Sequence, residues 1–365
     1  MRKPEHRWRT RLHEAVLVPA EGAASAHDET FELRFSDGRR GRATLQLRRQ
    51  VACAVALEDP DLEHAVRCWL AARGCCELAL FDEAGTSVAS GPFDVESLGD
   101  PVPDAVPQRL VTLAPSVAEL VHALGVFERV VACEDSSDYP PQVAELPRLG
   151  PDLGPDLEQV AALKPDLVLS SLTVPGMERI VTELRARGLP QVVLAPASVA
   201  DVLSDLTRVG RRLGVPEAAE RVVADMRRQL QRLEASRPAE PVRIYLEWWP
   251  RPMFSPGRDS YADELITLAG GLNVFGQQPG ASVQIDAEQL VAAAPELCFL
   301  SWCGVDESKL DPDNLCGRAG LEALSAARAR RVYPLDERFS GRPGPRMLEA
   351  ARRMAAAIAQ SGVRA

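Results

Sequence analysis

Asp156-Leu157-Glu158-Gln159-Val160-Ala161-Ala162-Leu163-Lys164-Pro165-Asp166-Leu167 aligns without a gap on Asp286-Ala287-Glu288-Gln289-Leu290-Val291-Ala292-Ala293-Ala294-Pro295-Glu296-Leu297, with six identities at one spacing. Both aspartates stand where a helix N-cap accepts backbone N–H groups, and both glutamates fall in the first turn, where the macrodipole favours an anion. The prolines then stop the helix before an apolar strand. One helix-to-strand unit therefore occurs twice, and the duplication predicts two related α/β halves.

Around the first copy, strand-like runs at 109–113, 130–133, 167–170 and 191–194 alternate with helix-like runs at 117–124, 157–163 and 177–187. Such alternation builds a parallel sheet covered by helices. Two helical runs follow at 199–213 and 216–233, the second long, charged and ended by Ser236-Arg237-Pro238; it reads as a rigid strut between the halves. The pattern restarts with a strand at 242–247, helices at 261–268 and 287–293, and a strand at 297–301. Upstream, three prolines between 97 and 108 mark a linker. Before it, strands at 31–35 and 43–47 flank a hairpin signal, followed by a helix at 62–72 and a strand at 77–81. The predicted fold is α/β: a small α+β domain over 1–99, a linker over 100–107, Rossmann-like lobes over 108–198 and 241–365, and spanning helices over 199–240.

A net charge of −10 excludes a nucleic-acid partner, which requires a basic face. The basic start (Arg2, Lys3, Arg7, Arg9, Arg11) precedes an apolar run of only 15–18, too short for a signal-peptide core, so a cytoplasmic location is expected unless the true start or export route differs. No segment approaches membrane-spanning length, so membrane insertion is not expected. Eight cysteines lack CxxC spacing, which argues for reduced, mostly buried thiols.

In open α/β sheets ligands bind beyond the carboxyl ends of the strands. The loops predicted there carry Ser116, Tyr139, Trp248, Trp249, Phe254, Trp302, Cys303 and Arg342, an aromatic set suited to a large, flat, partly apolar ligand. Of Trp248 and Trp249, one is expected in the core and the other at the cleft. Two readings of Cys303 stand open, contact with a ligand metal or small buried filler, and two of Arg342 and Arg346, ligand binding or anchorage of the final helix. His122 lies within a helix and reads as structural. The chain has no HExxH, GxSxG, P-loop or strand-borne GxGxxG, so neither catalytic residues nor a protein-held metal is expected.

Residues 108–362 resemble the substrate-binding proteins of vitamin B12 and iron-siderophore ABC importers, most closely the cobalamin-binding subgroup. The resemblance rests on 113–116 with Glu119-Leu120, Asp138-Tyr139-Pro140-Pro141, 157–167, Glu247-Trp248-Trp249, 269–275, Ser301-Trp302-Cys303-Gly304 and 342–346. It implies two lobes with little hinge motion and a corrinoid as ligand, not as catalytic cofactor, held by aromatic side chains that include Tyr139. It also implies docking of Glu158 and Glu288 on a membrane permease. The chain departs from the pattern at Asp152 and Ser282, where well-studied vitamin B12 binders carry tryptophan. Alternatives are an iron-siderophore or haem receptor meeting ligand carboxylates with Arg258, Arg342 and Arg346, an intracellular tetrapyrrole-handling enzyme or metallochaperone using Cys303 and His122, and a sensor read out by the N-terminal domain.

Overall fold

The structure, a computed structural model, describes residues 106–174 and 176–363, together with the backbone of seven strands nearer the start. Those strands are β1 (His6–Arg9), β2 (Glu14–Pro19), β3 (Asp28–Phe35), β4 (Arg40–Gln46), β5 (Val51–Val55), β6 (Glu77–Phe81) and β7 (Ser87–Pro92), and they form one sheet in sequential order. The expected hairpin is present as the antiparallel β3–β4 pair. The helix expected at 62–72 lies outside the described residues.

In the first lobe, β8 (Leu110–Thr112), β9 (Val130–Cys133), β10 (Leu167–Ser171) and β11 (Gln191–Leu194) form a parallel sheet in the order β11-β10-β8-β9. The second lobe holds β12 (Val242–Glu247), β13 (Trp249–Pro250), β14 (Met253–Pro256), β15 (Gly271–Asn273), β16 (Ser282–Ile285), β17 (Leu297–Leu300) and β18 (Val332–Pro334). Its parallel sheet runs β15-β12-β17-β18, the same path through space, and β13-β14-β16 form a separate antiparallel sheet. Every residue of β10 and β17 is buried, as expected for strands covered on both faces.

The helices are α1 (Pro115–Ala123), α2 (Leu157–Ala162), α3 (Met177–Ala186), α4 (Val199–Arg212), α5 (Pro216–Ala235), α6 (Tyr261–Leu268), α7 (Ala287–Ala293), α8 (Asp313–Cys316), α9 (Ser325–Arg328), α10 (Glu337–Ser340) and α11 (Leu348–Gln360). The repeat holds at atomic detail. Asp156 accepts the N–H groups of Glu158 and Gln159, each at 3.0 Å, while Asp286 and Gln289 close a reciprocal box at 2.8 and 2.9 Å. Lys164 and Ala294, at φ 48 and 44, end their helices in the left-handed region one residue before the proline. Asp166 then accepts the N–H of Arg109 at 2.9 Å and Glu296 that of Arg243 at 2.9 Å, so each copy ties itself to the first strand of its own sheet.

The strut is α5, 20 residues and about 30 Å long, packed against α4, α6 and α11. Helix α4 starts in a capping box of Ser198 and Asp201, and Val199 donates its N–H to Glu264 of α6 at 2.7 Å, a carboxylate at a positive dipole end. Where α4 meets α5, a Cβ on Gly210 would stand 2.4 Å from that of Ala219. Gly210→Ala is therefore expected to cost about 1–3 kcal/mol in urea unfolding although alanine is the better helix former. Adding Ala219→Gly should recover part of that loss.

Candidate ligand-binding cleft

Because both sheets are parallel, the loops leaving their strands gather at one end of each lobe, and a cleft of about 570 Å³ lies between the two sets. From the first lobe come 114–116 after β8, Ser136 and Asp138 after β9, Asp152, and 173–174 with Met177 after β10. From the second come 303–306 after β17 and, after β18, 336–338 and 341–343. Among the described residues, no aromatic side chain lines this cleft. Its charged lining is Asp138, Asp152, Asp306, Asp336 and Glu337 against Arg338 and Arg342.

The arginines are already engaged. Arg342 lies 2.5 Å from Asp138 and 3.4 Å from both Glu119 and Glu337, so it joins carboxylates of both lobes. Burial opposes its charge, yet Asp138, Glu337 and Glu119 together raise its pKa. Arg346 forks onto buried Glu119 at 2.9 and 2.6 Å and lies 3.9 Å above the Tyr139 ring. Arg338 forks onto Asp336 at 2.9 and 2.6 Å. Burial pushes the Glu337 carboxyl up, against the pull of Arg342.

Of the residues expected at the site, Ser116, Cys303 and Arg342 meet on the cleft walls. Tyr139 is placed by its contact with Arg346 and by His122, whose ring meets it edge-on at 5.1 Å. The pKa of His122 is lowered by burial and then by Arg346, against the opposing effect of Glu119, which suits a structural residue. Trp302 donates its indole N–H to Glu247 at 3.0 Å. Trp248 packs against the core with its indole nitrogen buried and unpaired. Trp249, 42% exposed, pairs with Phe254 across β13–β14. None of these five aromatic residues is among the cleft lining; the hairpin that follows β12 carries two of them, Trp249 and Phe254, into the antiparallel sheet. Arg258, offered for ligand carboxylates, is exposed beside Asp259 and is not in the lining.

Glu158 sits exposed in the first turn of α2 with Arg187 at 2.9 Å, and Glu288 is exposed in the first turn of α7. The Cys303 thiol, exposed at the wall, is pushed up to about 11 by desolvation and then by Glu337. At pH 8 only about one thiol in a thousand is then ionised, so Cys303 should react with iodoacetamide far more slowly than an ordinary cysteine. Mass spectrometry of the tryptic peptide checks this.

Sequence reading missed Glu119, Asp138, Asp306, Asp336 and Glu337 as cleft or inter-lobe groups. One usable signal was Glu119 within Val117-Ala118-Glu119-Leu120-Val121, an acid on an otherwise apolar helix that must find a partner if buried.

Two duplicated lobes, a rigid strut and a ligand-sized cleft at the strands' carboxyl ends define a two-lobed ligand-binding protein. The chain belongs to the periplasmic binding protein family, whose model matches residues 110–339. It is 27% identical over 254 residues to a vitamin B12-binding protein of Pectobacterium carotovorum subsp. carotovorum, covering 68% of this chain and 88% of that one. Among solved structures it resembles the periplasmic vitamin B12 binding protein of Vibrio cholerae (25% identity, TM-score 0.61, 70% of this chain and 98% of that one). It also resembles a periplasmic heme-binding protein from Roseiflexus sp. RS-1 (26% identity, TM-score 0.62, 70% and 98%). The cytoplasmic location expected from the first residues finds no support in these relatives, and among the described residues no helix is long and apolar enough to cross a membrane.

Proposed function

We propose that the chain captures a corrinoid, cobalamin or a close relative, between its lobes and acts without turnover as the substrate-binding component of an uptake system. The observation that carries this reading is the cleft between duplicated lobes, in a chain whose curated relatives include vitamin B12-binding proteins. Ser116, Cys303 and Arg342 are the expected wall contacts. Tyr139 and Trp302 support the walls from behind, the first under Arg346 and the second on Glu247. Trp248, Trp249 and Phe254 reach a bound ligand only if it extends past the cleft toward the β13–β14 hairpin. Binding without turnover is supported by a Cys303 thiol that stays protonated and a His122 imidazole packed behind Tyr139. Exposed Glu158 and Glu288 are the proposed contacts to an ABC permease on the outer face of the membrane, and cell fractionation tests that location.

Calorimetry of the full chain with cyanocobalamin is expected to give a Kd in the micromolar range or tighter, and protein purified from corrinoid-fed cells should carry red colour. No heat and no thermal stabilisation with any corrinoid would sink the proposal. A second reading, haem or a ferric chelate, is favoured by the heme-binding relative. A thermal-shift comparison of cobalamin, haemin and ferric chelates separates the two.

A further inference from the structure

We infer that the cleft selects its ligand by charge: it accepts one whose edge presents amide or cationic groups and rejects one that carries carboxylates there. This rests on the proposed capture function and concerns the same cleft. A ligand carboxylate needs an uncommitted cation, and the cleft's guanidiniums are both spent. Arg342 is shared among Asp138, Glu337 and Glu119, and Arg338 forks onto Asp336. A carboxylate arriving at either would have to displace an intramolecular one.

The unspent groups are acceptors. Asp152 lines the cleft with no hydrogen bond or ion pair among the described residues. Asp306 accepts the N–H of Ser308 at 2.9 Å and its hydroxyl, and feels the charges of Arg338 and Lys309 without a close ion pair to either, so its carboxylate is less free than that of Asp152 but still faces the cleft. The first belongs to one lobe and the second to the other, so a ligand held between the lobes has an anionic acceptor on each side. Asp152 also stands where the resemblance implies tryptophan, so this chain offers an acceptor where a stacking face is expected. An amide N–H or a cation is attracted there, and a peripheral carboxylate is repelled from both sides.

The test measures Kd by calorimetry in low salt for matched pairs: cobinamide against cobyrinic acid, its carboxylate-edged counterpart, and cationic ferrioxamine against an anionic ferric tricatecholate. Wild type, Asp152→Asn, Asp306→Asn and the double variant are compared, each shown to be folded by its unfolding midpoint. The wild type should prefer cobinamide by about thirtyfold or more, and the double variant should bring the ratio to within about threefold, as should high salt. Equal or tighter binding of cobyrinic acid, or a ratio unmoved in the double variant, overturns the inference. If neither corrinoid binds but ferrioxamine outbinds the tricatecholate, the corrinoid reading falls and the charge selection stands. A tighter tricatecholate, or no binding by all four, removes the charge selection.

Discussion

Arg318→Ala is expected to lower the stability of the folded chain by about 3–5 kcal/mol, the largest loss from any single side chain considered. Its partner Glu247 is fully buried at the end of β12 and accepts four hydrogen bonds. Two come from Arg318 at 2.6 and 2.8 Å, one from the Tyr245 hydroxyl at 2.9 Å and one from the Trp302 indole at 3.0 Å. A carboxylate in that position is tolerated only because the guanidinium neutralises it and both oxygens are satisfied. Without Arg318 two neutral donors remain, and Glu247 must take up a proton or admit water. Burial and then Glu247 hold the Tyr245 phenol well above its ordinary pKa, so it remains a donor throughout the neutral range. Arg318→Lys keeps the charge without the fork and should fall between. Arg318→Met with Glu247→Gln removes both charges and should lose less than Arg318→Ala alone. Urea unfolding followed by tryptophan fluorescence measures the series, and a loss below about 1 kcal/mol for Arg318→Ala would show that the pair is not sealed from solvent. Because Trp302 leads directly into 303–306, the same variant should also weaken ligand binding.

Arg346→Ala is the second large effect, about 2–4 kcal/mol, and it is expected to loosen the two lobes. Glu119 is 2% exposed on α1 of the first lobe, and both close hydrogen bonds to it come from Arg346 of the second. Arg342, 3.4 Å away and shared with two other acids, cannot replace them. The guanidinium's position over Tyr139 is lost as well. A double-mutant cycle of Glu119→Gln and Arg346→Ala should show a coupling of at least about 1 kcal/mol. Hydrogen exchange should rise in 115–123 and 337–347 together, the two sides of the contact. Arg228→Ala serves as control: its pair with Asp225 at 3.0 Å is more than half exposed on both sides, so the change should stay within about 0.5 kcal/mol. If Arg346→Ala behaves like Arg228→Ala, the Glu119–Arg346 contact does not hold the lobes together.

Much of the architecture was legible because it is local. Caps, first-turn acids, stopping prolines and buried apolar strands act within a dozen residues, so the duplicated unit could be read from either copy. The short strands β15 and β18, three residues each, were not read from the sequence. The hairpin β13–β14 escaped because Trp248-Trp249-Pro250-Arg251-Pro252 reads as a loop rather than a strand. That hairpin is what holds Trp249 and Phe254 in the antiparallel sheet.

By itself the sequence determined two related α/β lobes, a helical strut, and the loops from which any ligand must be held, since each follows from short-range chemistry. Only the tertiary structure decided what those loops present. Glu119 and Arg346 are 227 residues apart, and Arg342 and Asp138 are 204 apart. No local pattern reveals that such groups neutralise one another. Whether a charge is free for a ligand depends on the burial and partners that the folded chain supplies, and those leave the charged part of the cleft lining predominantly acidic.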